Sequence, residues 1–130
     1  MHALPRLSGS TALFLDFDGT LVDIAAQPEL VPIPPQLPLL LPRLHTRLDG
    51  ALAIVTGRQI AEIDHFLAPL RLPIAGEHGA RRRGEAGILF AVDAPDLSPI
   101  TSAAQRLADQ HPGLRVERKE AAVALHYRHA

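Results

Sequence analysis

Two aspartates, Asp16 and Asp18, stand two residues apart directly after an apolar run. Residues with this spacing on a strand point to the same side, so the two carboxylates converge where the chain leaves the strand. Nearby carboxylates repel each other unless a cation lies between them, and Mg²⁺ prefers such hard oxygen ligands. One carboxylate could attack phosphorus and form an acyl-phosphate, while the other exchanges protons with the leaving alcohol and with water. The alternative is an acidic turn whose carboxylates are only solvated.

A second set of residues has the chemistry of a phosphate site. Gly19, followed by Thr20, permits a tight turn and a close approach of backbone amides to an anion. Thr56, Gly57 and Arg58 follow another apolar run and precede a predicted helix, whose N-terminus favours anions. We therefore predict that all five residues bind phosphate. The alternative for the second group is a threonine helix cap followed by a surface arginine.

The elements that position these residues alternate in type over the first eighty positions. Apolar runs at residues 11–17, 51–55 and 72–75 predict short buried strands. Leucines at helical spacing predict a helix between the first two strands, with its core face formed by Leu37, Leu40, Leu41, Leu44 and Leu48. A second helix follows Arg58. This order predicts an α/β fold, with a doubly wound and mostly parallel Rossmann-like sheet.

The later residues follow a different order, namely hairpin, helix and hairpin. The pattern predicts hairpins within residues 81–92 and 114–128, and a helix that starts at Ser98 as its cap and stops at Pro112. We expect the arginine run at residues 81–83 to be a solvated strand. The prediction is that residues 1–80 form the N-terminal part of the core and that residues 81–130 begin a smaller α+β cap domain.

The first motif, an apolar strand followed by Asp16-Phe17-Asp18-Gly19-Thr20, resembles that of the haloacid-dehalogenase superfamily. Thr56 matches the hydroxyl residue of that superfamily's second motif. The resemblance implies that Asp16 is the nucleophile and Asp18 the general acid and base. It also implies that the Asp16 side chain and the Asp18 main-chain carbonyl hold Mg²⁺.

Two further stretches are similar to trehalose-6-phosphate phosphatases, namely Glu77-His78 before Gly79 and the hairpin that carries Glu117, Lys119 and Arg128. The resemblance implies that Glu77 and His78 bind substrate. It further implies that Glu117 and Lys119 contact glucose hydroxyls and that Arg128 approaches the phosphorylated end. Without the resemblance, Glu117 and Lys119 are only residues on one face of an exposed strand.

The composition excludes several classes of protein. The chain has 130 residues, of which 47% are hydrophobic and 4% aromatic, with a formal net charge of -1 and no cysteine. This balance gives no reason to expect nucleic acid or a membrane as partner, and it excludes disulfides and thiolate metal sites. No signal peptide is recognisable, so we expect a cytoplasmic protein. The oligomeric state is left open.

The resemblance implies Mg²⁺-dependent hydrolysis of trehalose 6-phosphate to trehalose and phosphate, through an aspartyl-phosphate. The superfamily's third and fourth motifs, a cation and an acidic pair, have no match, and Lys119, the one lysine, is already assigned. We therefore expect a truncated chain or fragment with weak or no turnover. The alternatives are another sugar phosphatase or phosphosugar mutase of the superfamily, or a non-catalytic phosphosugar-binding fragment.

Overall fold

The computed structural model describes residues 6–25, 27–87 and 89–130. One sheet contains, in spatial order, β1 (Leu13–Asp16), β2 (Leu52–Val55), β3 (Ile74–Gly76), β4 (Arg81–Arg83) and β5 (Leu89–Ala91). A separate antiparallel pair contains β6 (Arg115–Arg118) and β7 (Val123–His126). The helices are α1 (Leu37–Arg47), α2 (Ile60–Phe66) and α3 (Ser98–Gln110). None of the helices in these ranges is long and apolar enough to cross a bilayer.

The three strands β1, β2 and β3 run parallel and in register. Asp16 pairs with Val55, and Val55 pairs with Ala75. The residues that follow these strands therefore meet at one edge of the sheet. The predicted α/β class, with parallel strands linked by helices, is confirmed. β4 and β5 add antiparallel strands and make the sheet mixed.

The main core lies on one face of the sheet. Leu52 and Ile54 of β2 are buried there with Leu41 of α1 and Ile63 of α2, as period-two alternation requires. Leu40, which was predicted to face this core, is 49% exposed, because it lies about 100° around the helix from Leu41.

The opposite face of the sheet carries exposed apolar side chains. Phe14, Val55 and Phe90 are 70%, 42% and 55% exposed, and they line a groove of about 360 Å³. Both α1 and α2 pack on the core face of the sheet, on the side opposite to these exposed side chains. Among the residues described, this second face is uncovered where these side chains lie.

The hairpin formed by β4 and β5 carries the sheet past residue 80. The division of the chain at residue 80 stays a prediction. The later helix, α3, starts at Ser98 as predicted, but its cap is one position earlier than expected. Leu97 occupies the N-cap position, and the Ser98 N–H donates to Asp96 Oδ1 at 2.9 Å. Hydrogen bonds from Ser98 lower the pKa of Asp96.

The expectation of a solvated arginine run is wrong for two of its three members. Arg83 donates to both carboxylate oxygens of Asp64 at 2.7 Å, and its side chain is 10% exposed. Arg81 donates to the Val92 carbonyl and to Glu120. Arg82 alone is exposed, because alternate residues of a strand point to opposite faces.

Arg83→Met should destabilise the fold, because it leaves the largely buried Asp64 carboxylate without its cation. We expect a loss of about 2–4 kcal/mol in the free energy of unfolding, measured by urea titration. Arg82→Met is the matched control, one residue along the same strand, and should change stability by less than about 0.5 kcal/mol. Equal losses in the two variants would contradict a structural role for the Arg83 pair.

Candidate active site

The loop after β1 sets the directions of the two aspartates. Phe17, between them, is fully buried and turns the neighbouring side chains away from the core. Gly19 has a φ of 82°, and its N–H donates to the Val22 carbonyl at 2.8 Å. This turn requires the left-handed backbone that glycine adopts without strain. Asp16 is exposed at the sheet edge, and it accepts a weak hydrogen bond from the Thr20 hydroxyl at 3.3 Å.

Arg58 holds the Asp18 carboxylate from the neighbouring strand end. Its Nε and Nη2 donate to Asp18 Oδ2 and Oδ1, each at 2.7 Å, which is the two-pronged geometry of strong guanidinium–carboxylate pairs. The guanidinium carbon also lies 5.8 Å and 5.3 Å from the ring centres of Phe17 and Phe66. Arg58 is only 8% exposed, so the alternative of a surface arginine is wrong.

Negative charge surrounds this guanidinium on several sides. Hydrogen bonding to Asp18 raises the pKa of Arg58, against the opposite effect of burial, and the charges of Asp18, Glu62 and Glu117 raise it further. Glu62 Oε1 lies 3.5 Å from Arg58 Nη1. Arg58 therefore stays charged, and its charge is balanced within the site.

Thr56 and Gly57 lie in the loop between β2 and α2, which we call the Thr56–Arg58 loop. The Thr56 side chain is buried, and its hydroxyl oxygen accepts the N–H of Arg58 at 3.1 Å. α2 begins only at Ile60, where Gln59 and Glu62 cap it reciprocally. Thr56 and Gly57 therefore precede the first turn of α2, as the sequence predicts. Their binding of phosphate stays a prediction.

The turn after β3 docks on the Thr56–Arg58 loop. The N–H of Glu77 donates to the Arg58 carbonyl at 2.9 Å, and the N–H of His78 donates to the Thr56 carbonyl at 3.1 Å. Glu77 and His78 have φ values of 48° and 57°, a conformation that costs non-glycine residues on the order of 1–3 kcal/mol each. The His78 ring lies over Gly57, since a Cβ there would be 2.6 Å from His78 Cε1.

The hairpin of β6 and β7 brings its predicted sugar-binding residues to this loop. Lys119 Nζ donates to the Gly57 carbonyl at 2.6 Å, and its side chain is 9% exposed. Glu117 lies 3.5 Å from Lys119 Nζ and 2.7 Å from His126 Nε2. Arg128 follows β7 and is exposed. Among the described residues, no hydrogen bond or ion pair joins it to the other predicted residues.

The Asp16 carboxylate and the Asp18 main-chain oxygen could supply part of a magnesium site. No cluster of three or more acidic, histidine or cysteine residues that could hold a metal occurs within the described ranges. Mg²⁺, however, is usually bound by one or two carboxylates together with waters and substrate phosphate. The exposed Asp16 carboxylate supplies such a ligand. Since Arg58 occupies the Asp18 carboxylate, the main-chain oxygen of Asp18 is the ligand that this residue can offer.

Sequence reasoning missed two contacts of this site. The first joins Arg58 to Asp18, which is forty residues earlier in the chain. Its signal was available, because both residues follow strands that pair in parallel. The second joins the buried carboxylate of Glu77 to the Glu120 and Ala121 amides at 3.2 and 2.6 Å. No sequence pattern indicates it.

Gly76→Ala should disturb the site through the backbone. A Cβ at this position would lie 2.9 Å from the Arg58 carbonyl oxygen and 2.9 Å from Ile60 Cγ1, so the Thr56–Arg58 loop must shift. We expect a loss of about 1–3 kcal/mol in unfolding free energy, measured by denaturant titration. Gly84→Ala is the control, because its Cβ meets nothing within 4 Å. If the two substitutions cost the same, the close approach at Gly76 has no energetic importance.

Comparison with known proteins agrees with this geometry. The sequence model of the trehalose-phosphatase family matches residues 14–130. A probable trehalose-phosphate phosphatase of Sinorhizobium fredii is 44% identical over 98% of this chain and 49% of its own length. The trehalose-6-phosphate phosphatase of Escherichia coli is 41% identical over 97% of this chain and 48% of its own length. The chain thus spans about half the length of these curated relatives.

Solved structures give the same picture. The crystal structure of a trehalose-6-phosphate phosphatase related protein superposes with a TM-score of 0.70 at 35% identity, over 88% of this chain and 50% of that one. A haloacid dehalogenase-like hydrolase from B. subtilis shares the fold, with a TM-score of 0.57 at 20% identity, over 87% of this chain and 38% of its own. On its sequence match and its fold, the chain belongs to the trehalose-phosphatase family.

Proposed function

We propose that the protein hydrolyses trehalose 6-phosphate to trehalose and inorganic phosphate, in a magnesium-dependent reaction through an aspartyl-phosphate on Asp16. The observation that carries this proposal is the difference between two neighbouring carboxylates. Asp16 is exposed at the sheet edge, whereas Asp18 is held at 2.7 Å by Arg58. A free nucleophile beside an oriented proton carrier is the arrangement that covalent phosphoryl transfer needs.

The proposed reaction has two steps. An Asp16 oxygen attacks phosphorus, the bond from phosphorus to the sugar oxygen breaks, and Asp18 protonates the departing alcohol. Asp18 then takes a proton from a water molecule that attacks the same phosphorus, which releases phosphate and restores the Asp16 carboxylate. In the structure Arg58 holds both oxygens of the Asp18 carboxylate. Protonation of Asp18 requires that its pairing with Arg58 loosens during the cycle.

Magnesium would be held by the Asp16 carboxylate and the Asp18 main-chain carbonyl. When bound, it neutralises charge on the phosphate so that an anionic nucleophile can approach. Gly19 and Thr20 are proposed to meet the phosphate from the first loop. Thr56, Gly57 and Arg58 are proposed to meet it from the second.

The sugar is proposed to lie between the Thr56–Arg58 loop and the β6–β7 hairpin. Support comes from Lys119, which reaches the Gly57 carbonyl, and from the neighbouring Glu117. His78, exposed beside Gly57, would line the same space, as would Arg128 by the family resemblance. The Glu77 carboxylate, by contrast, is 3% exposed and accepts two backbone amides of the hairpin, so it does not face this space. Charged and hydrogen-bonding groups on a rigid hairpin suit the many hydroxyls of a disaccharide.

A cytoplasmic location also remains a proposal.

Asp16→Asn should abolish phosphate release, because it removes the nucleophile. Turnover by the unsubstituted protein is expected to be weak, and we expect it to fall below detection in Asp16→Asn, measured by release of phosphate from trehalose 6-phosphate in the presence of Mg²⁺. The variant should also fail to trap beryllium fluoride with Mg²⁺, which fluorine NMR detects. Asp23→Asn, an exposed aspartate nearby, is the control and should retain both properties. Turnover at the original rate in Asp16→Asn would refute the proposed mechanism.

Glu117→Gln and Lys119→Met should reduce selectivity for the disaccharide. We expect kcat/KM for trehalose 6-phosphate to fall by about 10–100-fold in each, as loss of buried charged hydrogen bonds typically causes. Arg118→Met, on the opposite face of β6, is the matched control. The measurement compares trehalose 6-phosphate with sucrose 6-phosphate and mannose phosphates. Better turnover of one of the latter by the unsubstituted protein would favour a different sugar phosphatase.

A further inference from the structure

The carboxylate of Glu77 is almost completely buried and faces the hairpin. Glu77 is 3% exposed, and its Oε1 and Oε2 accept the N–H groups of Glu120 and Ala121 at 3.2 and 2.6 Å. These amides lie in the turn between β6 and β7, which we call the hairpin tip (residues 119–122). We propose that Glu77 is a positioning residue that seats the hairpin tip on the Thr56–Arg58 loop.

The backbone of Glu77 supports this role. Its left-handed conformation is unfavourable for a residue with a side chain, so surrounding contacts must hold it in place. Those contacts are the N–H bonds of Glu77 and His78 to the Arg58 and Thr56 carbonyls. The same residue therefore touches the loop through its main chain and the hairpin tip through its side chain. The strained backbone of Glu77 therefore lies at the junction between the five-stranded sheet and the β6–β7 pair.

The chemistry of the side chain matches the two amides. A carboxylate accepts at both oxygens, whereas a glutamine offers one oxygen and one NH₂ group that would oppose an amide N–H. Hydrogen bonds to a charged acceptor are also stronger than neutral ones. The two amides are neighbours in a turn, so they converge on one carboxylate. No side chain of the hairpin tip is needed for this recognition.

Three other contacts between the hairpin and the core are made by side chains of the hairpin. The Arg115–Glu29 pair is exposed on both sides, and Glu120 in the Arg81–Glu120 pair is 67% exposed, so both are weakened by solvent. Lys119 reaches the Gly57 carbonyl with a largely buried side chain, so this contact holds a side chain and not the backbone of the hairpin. Glu77 supplies a buried contact with the hairpin backbone. It therefore controls where Glu117 and Lys119 stand relative to the Asp18–Arg58 pair.

The contact itself is tested without substrate, by hydrogen exchange in solution. In the unsubstituted protein, the Glu120 and Ala121 amides should exchange far more slowly than in an unstructured peptide. In Glu77→Gln their exchange should accelerate by about ten-fold or more, while the amides of β2 keep their protection. Glu120→Gln is the matched control, because it alters the Arg81 contact and keeps the amide, so protection at Ala121 should persist.

Each result of the exchange experiment either supports or overturns the positioning role of Glu77. Fast exchange of both tip amides in the unsubstituted protein overturns it, whatever the variants do. Unchanged tip protection in Glu77→Gln also overturns it. If Glu77→Gln loses β2 protection as well, Glu77→Asp replaces it, with the carboxylate withdrawn by one methylene. The tip amides must then exchange faster than in the unsubstituted protein, and protection equal to it counts against the role.

The catalytic consequence rests on the proposed function and has its own readout. Glu77→Gln should lower kcat/KM for trehalose 6-phosphate by about ten-fold, while hydrolysis of p-nitrophenyl phosphate, which needs no hairpin, changes little. If the unsubstituted protein cleaves neither ester, the proposed function fails and the exchange result still decides the role of Glu77. Equal losses for both esters would show that Glu77 acts on the phosphate site and not through the hairpin.

Discussion

The ion pair between Arg58 and Asp18 is the contact on which the rest of the site depends. It joins the loop after β1 to the loop after β2, and it lies where the parallel strands end. A guanidinium that is 8% exposed needs a charged partner, since an uncompensated buried charge is strongly unfavourable. The pair therefore fixes both loops at once. Asp16, without such a partner, stays exposed beside them.

The Thr56–Arg58 loop extends this order to the other parts of the site through its carbonyl groups. Three successive carbonyls, those of Thr56, Gly57 and Arg58, accept hydrogen bonds from the His78 N–H, the Lys119 ammonium and the Glu77 N–H. Each donor belongs to the turn after β3 or to the hairpin tip. A displacement of the loop, such as a Cβ at Gly76 would cause, must therefore move the hairpin as well. The turn after β3 and the hairpin tip are therefore coupled through one short segment of backbone.

Sequence patterns predicted the elements better than the contacts between them. The apolar runs and the leucine spacing placed β1, β2, α1 and the parallel order correctly, because those features depend on local periodicity. Leu40 was misplaced because adjacent leucines offer two possible helix faces, and packing selects one. The burial of the arginine run was predicted wrongly, because the density of charge does not show which residues of a strand face inward. Arg83 pairs with Asp64 on α2, nineteen residues away.

The predicted site residues show the same limit. The motifs located Asp16, Asp18 and the Thr56–Arg58 loop, and the parallel strands bring them together. The Arg58–Asp18 pair could have been inferred, because both residues follow strands that pair in parallel. The partners of Glu77 could not, because they depend on three-dimensional distances between residues forty or more positions apart. Arg128 was assigned by resemblance alone, and among the described residues it makes no hydrogen bond or ion pair with the other predicted groups.

The two faces of the sheet differ in a way that bears on stability. β1 and β2 are apolar on both faces, a pattern typical of strands covered on both sides. Leu52 and Ile54 are buried under α1 and α2, whereas Phe14 and Val55 on the other face are 70% and 42% exposed. The two curated relatives are about twice as long as the region that this chain matches. Burial of Phe14 alone would contribute about 1.5–3 kcal/mol, so any partner that covers this face should stabilise the β1 edge where Asp16 stands.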